Sequence, residues 1–367
     1  MATSVARFEI GYSRFLDAEG QVGGMLDGFA SDPANLTALY RGMVRTRAFD
    51  AKAVALQRTG RLGTFASSLG QEAVSVGTAS AMRAEDVLLP SFREHGAQLW
   101  RGVSPLELFL YWGGDERGSD FAGPRQDFPV CVPVASHAPH AVGVALAFKF
   151  RREPRVAVCI FGDGATSKGE VAEAMNIAGV WRVPVIFVIA NNQWAISIPR
   201  HRQSAAETLA QKAIAAGFAG EQVDGNDVIA VHQAVGAAIE RARQGGGPHV
   251  VEAVTYRLAD HTTADDASRY RDDAEVSRHW PEEPLIRLRA YLARGGHVTK
   301  RDEEQLLAEI AAEIEAAAAS YLATPPQPPE TVFDHTFAEL PADLAAQRAA
   351  ALGGHRILTP EPVGIGS

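Results

Sequence analysis

Cysteine is scarce, with two residues in a chain of 367, Cys131 and Cys159. They make no disulfide framework and no zinc-ligand spacing. Basic charge is also in deficit. Lys and Arg total 35 against 44 Asp and Glu, a formal net charge of −9. That balance argues against nucleic acid or an anionic membrane as the main partner. No apolar run approaches the roughly 20 residues of a membrane span. No charged-then-apolar export signal opens the chain, and no internal repeat is present. The remainder, 46% hydrophobic and 22% charged, is the composition of an ordinary soluble globular protein. A cytoplasmic enzyme is the expectation.

A chain of this length buries a large core. It reads as an N-terminal arm (1–34), an α/β domain (35–300), and a C-terminal helix with a docking tail (301–367). In the arm, Phe8, Ile10, Tyr12, Phe15 and Leu16 are scattered among Gly and Asp. Helical spacing runs over 35–59 through Leu36, Leu39, Tyr40, Met43 and Val44. Further helices are expected over 72–82, 106–112, 135–150, 206–216, 228–243 and 285–293. Val87–Pro90, Val130–Val134 and Val250–Arg257 have strand character. Asp302 to Leu322 is an amphipathic Ala/Glu helix. The Pro-rich Thr324–Pro329 reads as a stiff spacer, followed by a tail carrying Phe333, Phe337, Leu340 and Leu344.

The chemistry concentrates between Arg155 and Pro199. Val156–Phe161 and Val185–Ala190 are short, continuous and rich in Val and Ile. That is the pattern of parallel strands covered on both faces. Gly169 to Val180 has helical composition, so the segment is a βαβ unit. The first strand runs into Gly162-Asp163-Gly164 and the second into Asn191-Asn192. Ligands of open α/β sheets bind at the carboxyl ends of strands. An acid and two amides are therefore expected at one edge, near the start of the helix that follows Gly164. A helix N-terminus favours a diphosphate. Asp163, Asn192 and a backbone carbonyl such as that of Trp194 offer oxygens to Mg²⁺, which takes a few protein oxygens plus phosphate and water. A P-loop is excluded, because Glu170 stands where its Lys belongs. A dinucleotide fingerprint is excluded by Ser167 at the third Gly position.

Two further segments point to the same rim. Val87–Pro90 ends in Ser91-Phe92-Arg93-Glu94-His95, and an Arg there can grip a phosphate with two parallel donors. The loop Asp260–Arg271 is charged, lacks apolar periodicity and holds His261. That makes it a candidate active-site loop.

These pieces together resemble one family, the alpha subunit of the thiamine-diphosphate-dependent component of 2-oxoacid dehydrogenase complexes. The likeness runs from about Leu36 to about Leu344. It rests on GRLGTFASSLGQEA (Gly60–Ala73), LPSFREHG (Leu89–Gly96), GDGATSKGE, NNQWAISIP, QVDGNDV (Gln222–Val228) and TYRLADHTTADDASRYR (Thr255–Arg271). It implies a doubly wound, mostly parallel sheet of the diphosphate-binding half. It implies that Gly162, Asp163, Gly164 and Ala165 cradle the diphosphate, and that Asp163, Asn192 and the Trp194 carbonyl hold Mg²⁺. Phe92 and Arg93 match a Tyr-Arg pair beside the diphosphate, Phe92 without the hydroxyl. Val132 and Val134 match residues under the aminopyrimidine. His261 matches a loop histidine near the reacting carbon that assists acylation of a lipoyl group. Thr262 stands where mitochondrial relatives are phosphorylated, and Ala190 where relatives often carry a longer polar residue.

The resemblance further implies that the Glu facing the pyrimidine comes from a separate beta subunit, in an α2β2 heterotetramer serving a lipoyl acyltransferase. The substrate would be a 2-oxoacid. Gly60–Ala73 resembles pyruvate enzymes, the favoured reading, whereas Thr255–Arg271 resembles branched-chain ones. An acetoin dehydrogenase alpha subunit and, from another class, a non-catalytic phosphate-binding protein are the alternatives.

Overall fold

The computed structural model describes residues 2–26, 28–334 and 336–354. Its centre is a parallel six-stranded sheet in the order β1-β7-β8-β4-β3-β2. The strands are β1 (Tyr12–Ser13), β2 (Val87–Leu89), β3 (Ala157–Gly162), β4 (Val185–Asn191), β7 (Gly220–Asp224) and β8 (His249–Val254). Between β4 and β7, β5 (Trp194–Ala195) and β6 (Ile198–Pro199) form a small antiparallel ribbon. The helices are α1 (Pro33–Arg58), α2 (Glu72–Ser80), α3 (His95–Arg101), α4 (Pro105–Trp112), α5 (His137–Arg151) and α6 (Gly169–Trp181). They continue with α7 (Arg200–Gln203), α8 (Gln211–Ala215), α9 (Val228–Arg241), α10 (Asp273–His279), α11 (Pro284–Arg294) and α12 (Lys300–Ala323). This is the doubly wound α/β architecture implied by the sequence.

The alternation of side chains along β3 and β4 builds a core on each face of the sheet. Val158, Ile160, Ile186 and Val188 pack with Val231, Val235 and Ala238 of α9. Cys159, Phe161, Phe187 and Ile189 pack with Ala141 and Phe148 of α5 and with Val171 and Met175 of α6. Each fully buried Val, Ile or Phe contributes about 1.5–3 kcal/mol, and the continuous apolar runs follow from burial on both sides. A third core joins helices α1, α4, α11 and α12 through Leu39, Met43, Phe109, Leu288 and Ile314. Asp32 caps α1 by accepting from the Ala34 N–H, and Pro33 pre-sets its first turn.

The N-terminal segment enters the sheet as an edge strand, Tyr12 opposite Gln222. The backbone N–H groups of Phe15 and Leu16 donate to Asp227 Oδ2 at 2.6 and 2.8 Å. Asp227 Oδ1 caps α9.

Three elements differ from the sequence reading. Val130–Val134 forms no strand. Pro129 and Pro133 have no N–H to donate, and only Phe128 and Cys131 bond back, to Leu88 and Pro90 carbonyls. The helix expected from 135 begins at His137, because Ala135 sits at φ 75°. The helix expected over 206–216 shrinks to α8. Arg200 takes the carbonyls of Ser204 and Ala206, and Glu252 takes the N–H groups of Leu209 and Ala210, so the segment is held as loop.

The chain divides into two compact units, 1–322 and 323–367. In the second, short helices cover Thr331–Asp334 and Ala342–Gly354. The end of the expected docking tail, 355–367, lies outside the described residues.

Candidate active site

In the β3–β4 ladder Gly162 lies opposite Ala190, so Asp163 and Asn192 emerge side by side. They open into a cleft of about 530 Å³. Phe92, Arg93, Val134, Gly162, Asp163, Gly164, Ala165, Asn192, Trp194 and His261 all line it. Val132 does not; it is exposed, outside the lining.

α6 starts where the sequence places it, at Gly169, and a separate turn lies between it and β3. Asp163–Ser167 is a single 3-10 turn, and Lys168 is extended at φ −85°, ψ 144°. The Asp163 carbonyl explains the turn. It accepts from Thr166 Oγ1 and from Gln203 Nε2, each at 2.8 Å, which closes the turn on itself. The backbone at Gly164 is tightly approached, and an added Cβ would lie 2.9 Å from Ala195 Cβ.

Asp163 is 1% exposed. Its Oδ2 has no partner among the described residues. Burial pushes its carboxyl up to about 6, against the pull of backbone donors and the Arg257 guanidinium. A buried carboxylate oxygen without a partner is costly unless a cation or proton takes it. Asn192 Oδ1 accepts from the Trp194 N–H at 3.2 Å, and Asn192 Nδ2 donates to Gln71 Oε1 at 2.9 Å. Gln193 and Ile196 hold φ of 72° and 56°, which folds the chain back around Trp194. One carboxylate, one amide oxygen and a backbone carbonyl are hard oxygen donors, suited to Mg²⁺ rather than a thiophilic metal.

Arg93 reaches the cleft wall, yet its fork is engaged by the protein. Nη1 donates to the Ser67 carbonyl at 2.7 Å. Nη2 donates to the His261 carbonyl at 2.6 Å and to His261 Nδ1 at 2.8 Å. Burial, then Arg257, lowers the Arg93 guanidinium to about 9. Arg257 is fully buried. It donates to His261 Nδ1 at 3.2 Å, to the carbonyls of Trp194 and Ile196, and to Tyr270 Oη. Tyr270 in turn bonds Asp265, which accepts from the His261 N–H at 2.9 Å.

Two guanidinium groups donating to Nδ1 force the ring proton of His261 onto Nε2. Burial, Arg93 and Arg257 together lower this imidazole to about 3. His261 is thus a neutral N–H donor at physiological pH, with the Phe92 ring edge-on at 6.0 Å.

A larger polar cleft of about 1000 Å³ lies beyond Trp194, lined by Arg14, Asn226, Glu275 and His279 among others. Of the candidate residues it touches only Trp194. Arg287 there is paired with Asp224 at 2.6 Å, and His279 Nδ1 lies 3.0 Å from Glu282. Sequence reasoning did not single out Gln71, Ser67 or Arg257. Gln71 lay inside a motif already noted. Arg257 ends a strand-like run, but nothing local marks an arginine for complete burial.

Residues 40–330 match the model of the dehydrogenase E1 component family. The chain belongs to that family, the thiamine-diphosphate-dependent E1 dehydrogenases. A 3-methyl-2-oxobutanoate dehydrogenase subunit alpha of Mycobacterium tuberculosis is 43% identical over 310 residues, 84% of each chain. Pyruvate dehydrogenase E1 component alpha subunits of Staphylococcus epidermidis and Mycoplasma pneumoniae are 39% and 38% identical. They cover 85% and 83% of this chain and 85% and 86% of their own. The E1 chain is thus similar over most of its length to alpha subunits named for two different acids. Among its described residues no helix is long and apolar enough to cross a membrane.

Proposed function

We propose that this chain is the alpha subunit of a pyruvate dehydrogenase E1 component, carrying out oxidative decarboxylation with acyl transfer to a lipoyl group. The reading is carried by one observation. The unpartnered Asp163 Oδ2 stands beside Asn192 in a buried cleft that also holds a neutral His261. Gly162, Asp163, Gly164 and Ala165 bind the diphosphate. Asp163, Asn192 and the Trp194 carbonyl hold Mg²⁺. The cofactor, when bound, supplies the electron sink that makes loss of carbon dioxide possible. Arg93 and Phe92 wall the diphosphate side. Arg93 acts chiefly by holding His261, whose Nε2–H would donate to acyl or lipoyl atoms. Val134, with Val132 outside it, supports the aminopyrimidine.

The site is half of one. Val132, Val134, Ile196 and Ile198 are exposed apolar side chains, of which Val134 and Ile196 line the cleft. They fit burial against a beta subunit in an α2β2 assembly that supplies the acid facing the pyrimidine and serves a lipoyl acyltransferase. The two unpaired cysteines suit the reducing cytoplasm. The three-part organisation, arm 1–34, sheet domain 35–300 and C-terminal segment 301–367, belongs to the same proposal.

A second reading, branched-chain 2-oxoacids, is favoured by the 43% identity to the Mycobacterium tuberculosis subunit. The acids differ by a few methylenes, each worth about 1–3 kcal/mol in a pocket. Steady-state turnover of pyruvate, 3-methyl-2-oxobutanoate and acetoin by the co-expressed complex decides. A kcat/KM at least about tenfold higher for pyruvate is expected. Preference for the branched acid moves the assignment to the second reading, and turnover of acetoin alone overturns both.

A further inference from the structure

Gln71 sits just before α2, 3% exposed, on the wall of the same cleft. The hydrogen bonds around it fix the direction of two amides in sequence. The Trp194 N–H can donate only to an oxygen, so the Asn192 atom at 3.2 Å is Oδ1. Asn192 Nδ2 is then the far end, and it donates to Gln71 at 2.9 Å. The Gln71 atom receiving it must be Oε1 by the same logic. Gln71 Nε2 is therefore left over. It is buried and has no partner among the described residues, as does Asp163 Oδ2 of the same cleft. A buried amide N–H without an acceptor costs stability, and neither the glycine turn nor the Asn pair accounts for it.

We propose that Gln71 is the positioning residue for the metal-facing oxygen of Asn192, and that its own Nε2–H donates to an oxygen of the metal-bound diphosphate. This rests on the cofactor reading given above. Without Gln71 the Asn192 amide loses the acceptor that holds its nitrogen away from the cation. Partners that orient a metal ligand in this way typically change metal affinity 10–100-fold when removed, by the usual order of magnitude. The two roles separate by substitution. Gln71→Glu keeps an acceptor for Asn192 Nδ2 but replaces the donor with a charge that repels diphosphate. Gln71→Met removes both.

The experiment is Mg²⁺ and thiamine diphosphate titration of the complex with its beta partner. It is read by calorimetry and by tryptophan fluorescence, Trp194 being on the cleft wall, with the melting temperature of the unloaded complex measured alongside. Gln71→Met is expected to raise the half-saturating Mg²⁺ concentration about tenfold or more in a complex that still melts cooperatively when unloaded. Gln71→Glu is expected to leave that Mg²⁺ requirement near wild type while weakening thiamine diphosphate about tenfold. Wild-type Mg²⁺ and thiamine diphosphate affinities in the Met variant overturn the proposal. If the Met variant does not fold, unchanged thiamine diphosphate affinity in the isosteric Glu variant overturns it equally. Absence of Mg²⁺-dependent binding in the wild-type complex fails the cofactor reading itself. Failure of the variants alone leaves that reading intact.

Discussion

Asp163 and His261 carry opposite demands on charge in one cleft. Asp163 is buried with an oxygen unpartnered, so its ionised form needs a cation. Asp163→Ala should lower Mg²⁺-dependent thiamine diphosphate binding by about a hundredfold, measured calorimetrically. Tight binding retained in that variant would contradict the metal assignment. His261 is held neutral by burial and by Arg93 and Arg257, which suits the proposed role of a hydrogen-bond donor rather than an acid that recharges each cycle. His261→Ala should leave decarboxylation with an artificial electron acceptor nearly unchanged. Acylation of a lipoyl domain should fall about a hundredfold or more. Equal loss in both assays would remove His261 from the transfer step.

The elements around the cleft differ in how far the sequence disclosed them. β3 and β4 were legible because burial on both faces leaves an unbroken apolar run, and their carboxyl ends placed Asp163 beside Asn192. The start of α6 at Gly169 was legible from composition, but the 3-10 turn before it was not, since its closure draws on Gln203, which is distant in sequence. Val130–Val134 has strand-forming side chains, but its flanking prolines decide the outcome. Ten of the candidate residues meet at the cleft, most of them just past the carboxyl ends of β2, β3 and β4, with Val134 and His261 brought in by loops. Arg257 and Gln71 escaped notice because their burial depends on three converging loops.

One buried element predicts an acid sensitivity. His95, in α3, is enclosed by Phe49, Phe65 and Trp112. Its Nε2 accepts from Trp112 Nε1 at 3.1 Å. Burial and Arg93 lower it to about 3, against 6.5 in an unfolded chain. The unfolded state takes up the proton first, so this contribution is complete above pH 6.5 and is lost progressively as pH falls toward 3. Between pH 6.5 and 5 that amounts to about 2 kcal/mol. In urea unfolding, His95→Gln should flatten the decline over that interval by about this amount. An unchanged pH profile would mean that His95 is already charged in the folded chain.

At the scale of the whole molecule, the sheet domain presents a cofactor cleft whose rim is apolar and exposed. Besides Asp163, the carboxylates lining the cleft are Glu94 and Glu170. Glu94 accepts from Ser91 Oγ and from the Arg93 N–H, both through Oε2. Glu170 begins α6 at the surface side and pairs with Lys168. On the proposed function this chain holds half of an active site, its exposed apolar rim awaiting the beta subunit. The most direct measurement is decarboxylation of pyruvate and 3-methyl-2-oxobutanoate with thiamine diphosphate and Mg²⁺, by the chain alone and by the chain co-expressed with its beta partner. Activity only in the presence of the partner is the predicted result. Comparable activity from the chain alone would contradict the account, because a carboxylate within this chain would then be serving the pyrimidine.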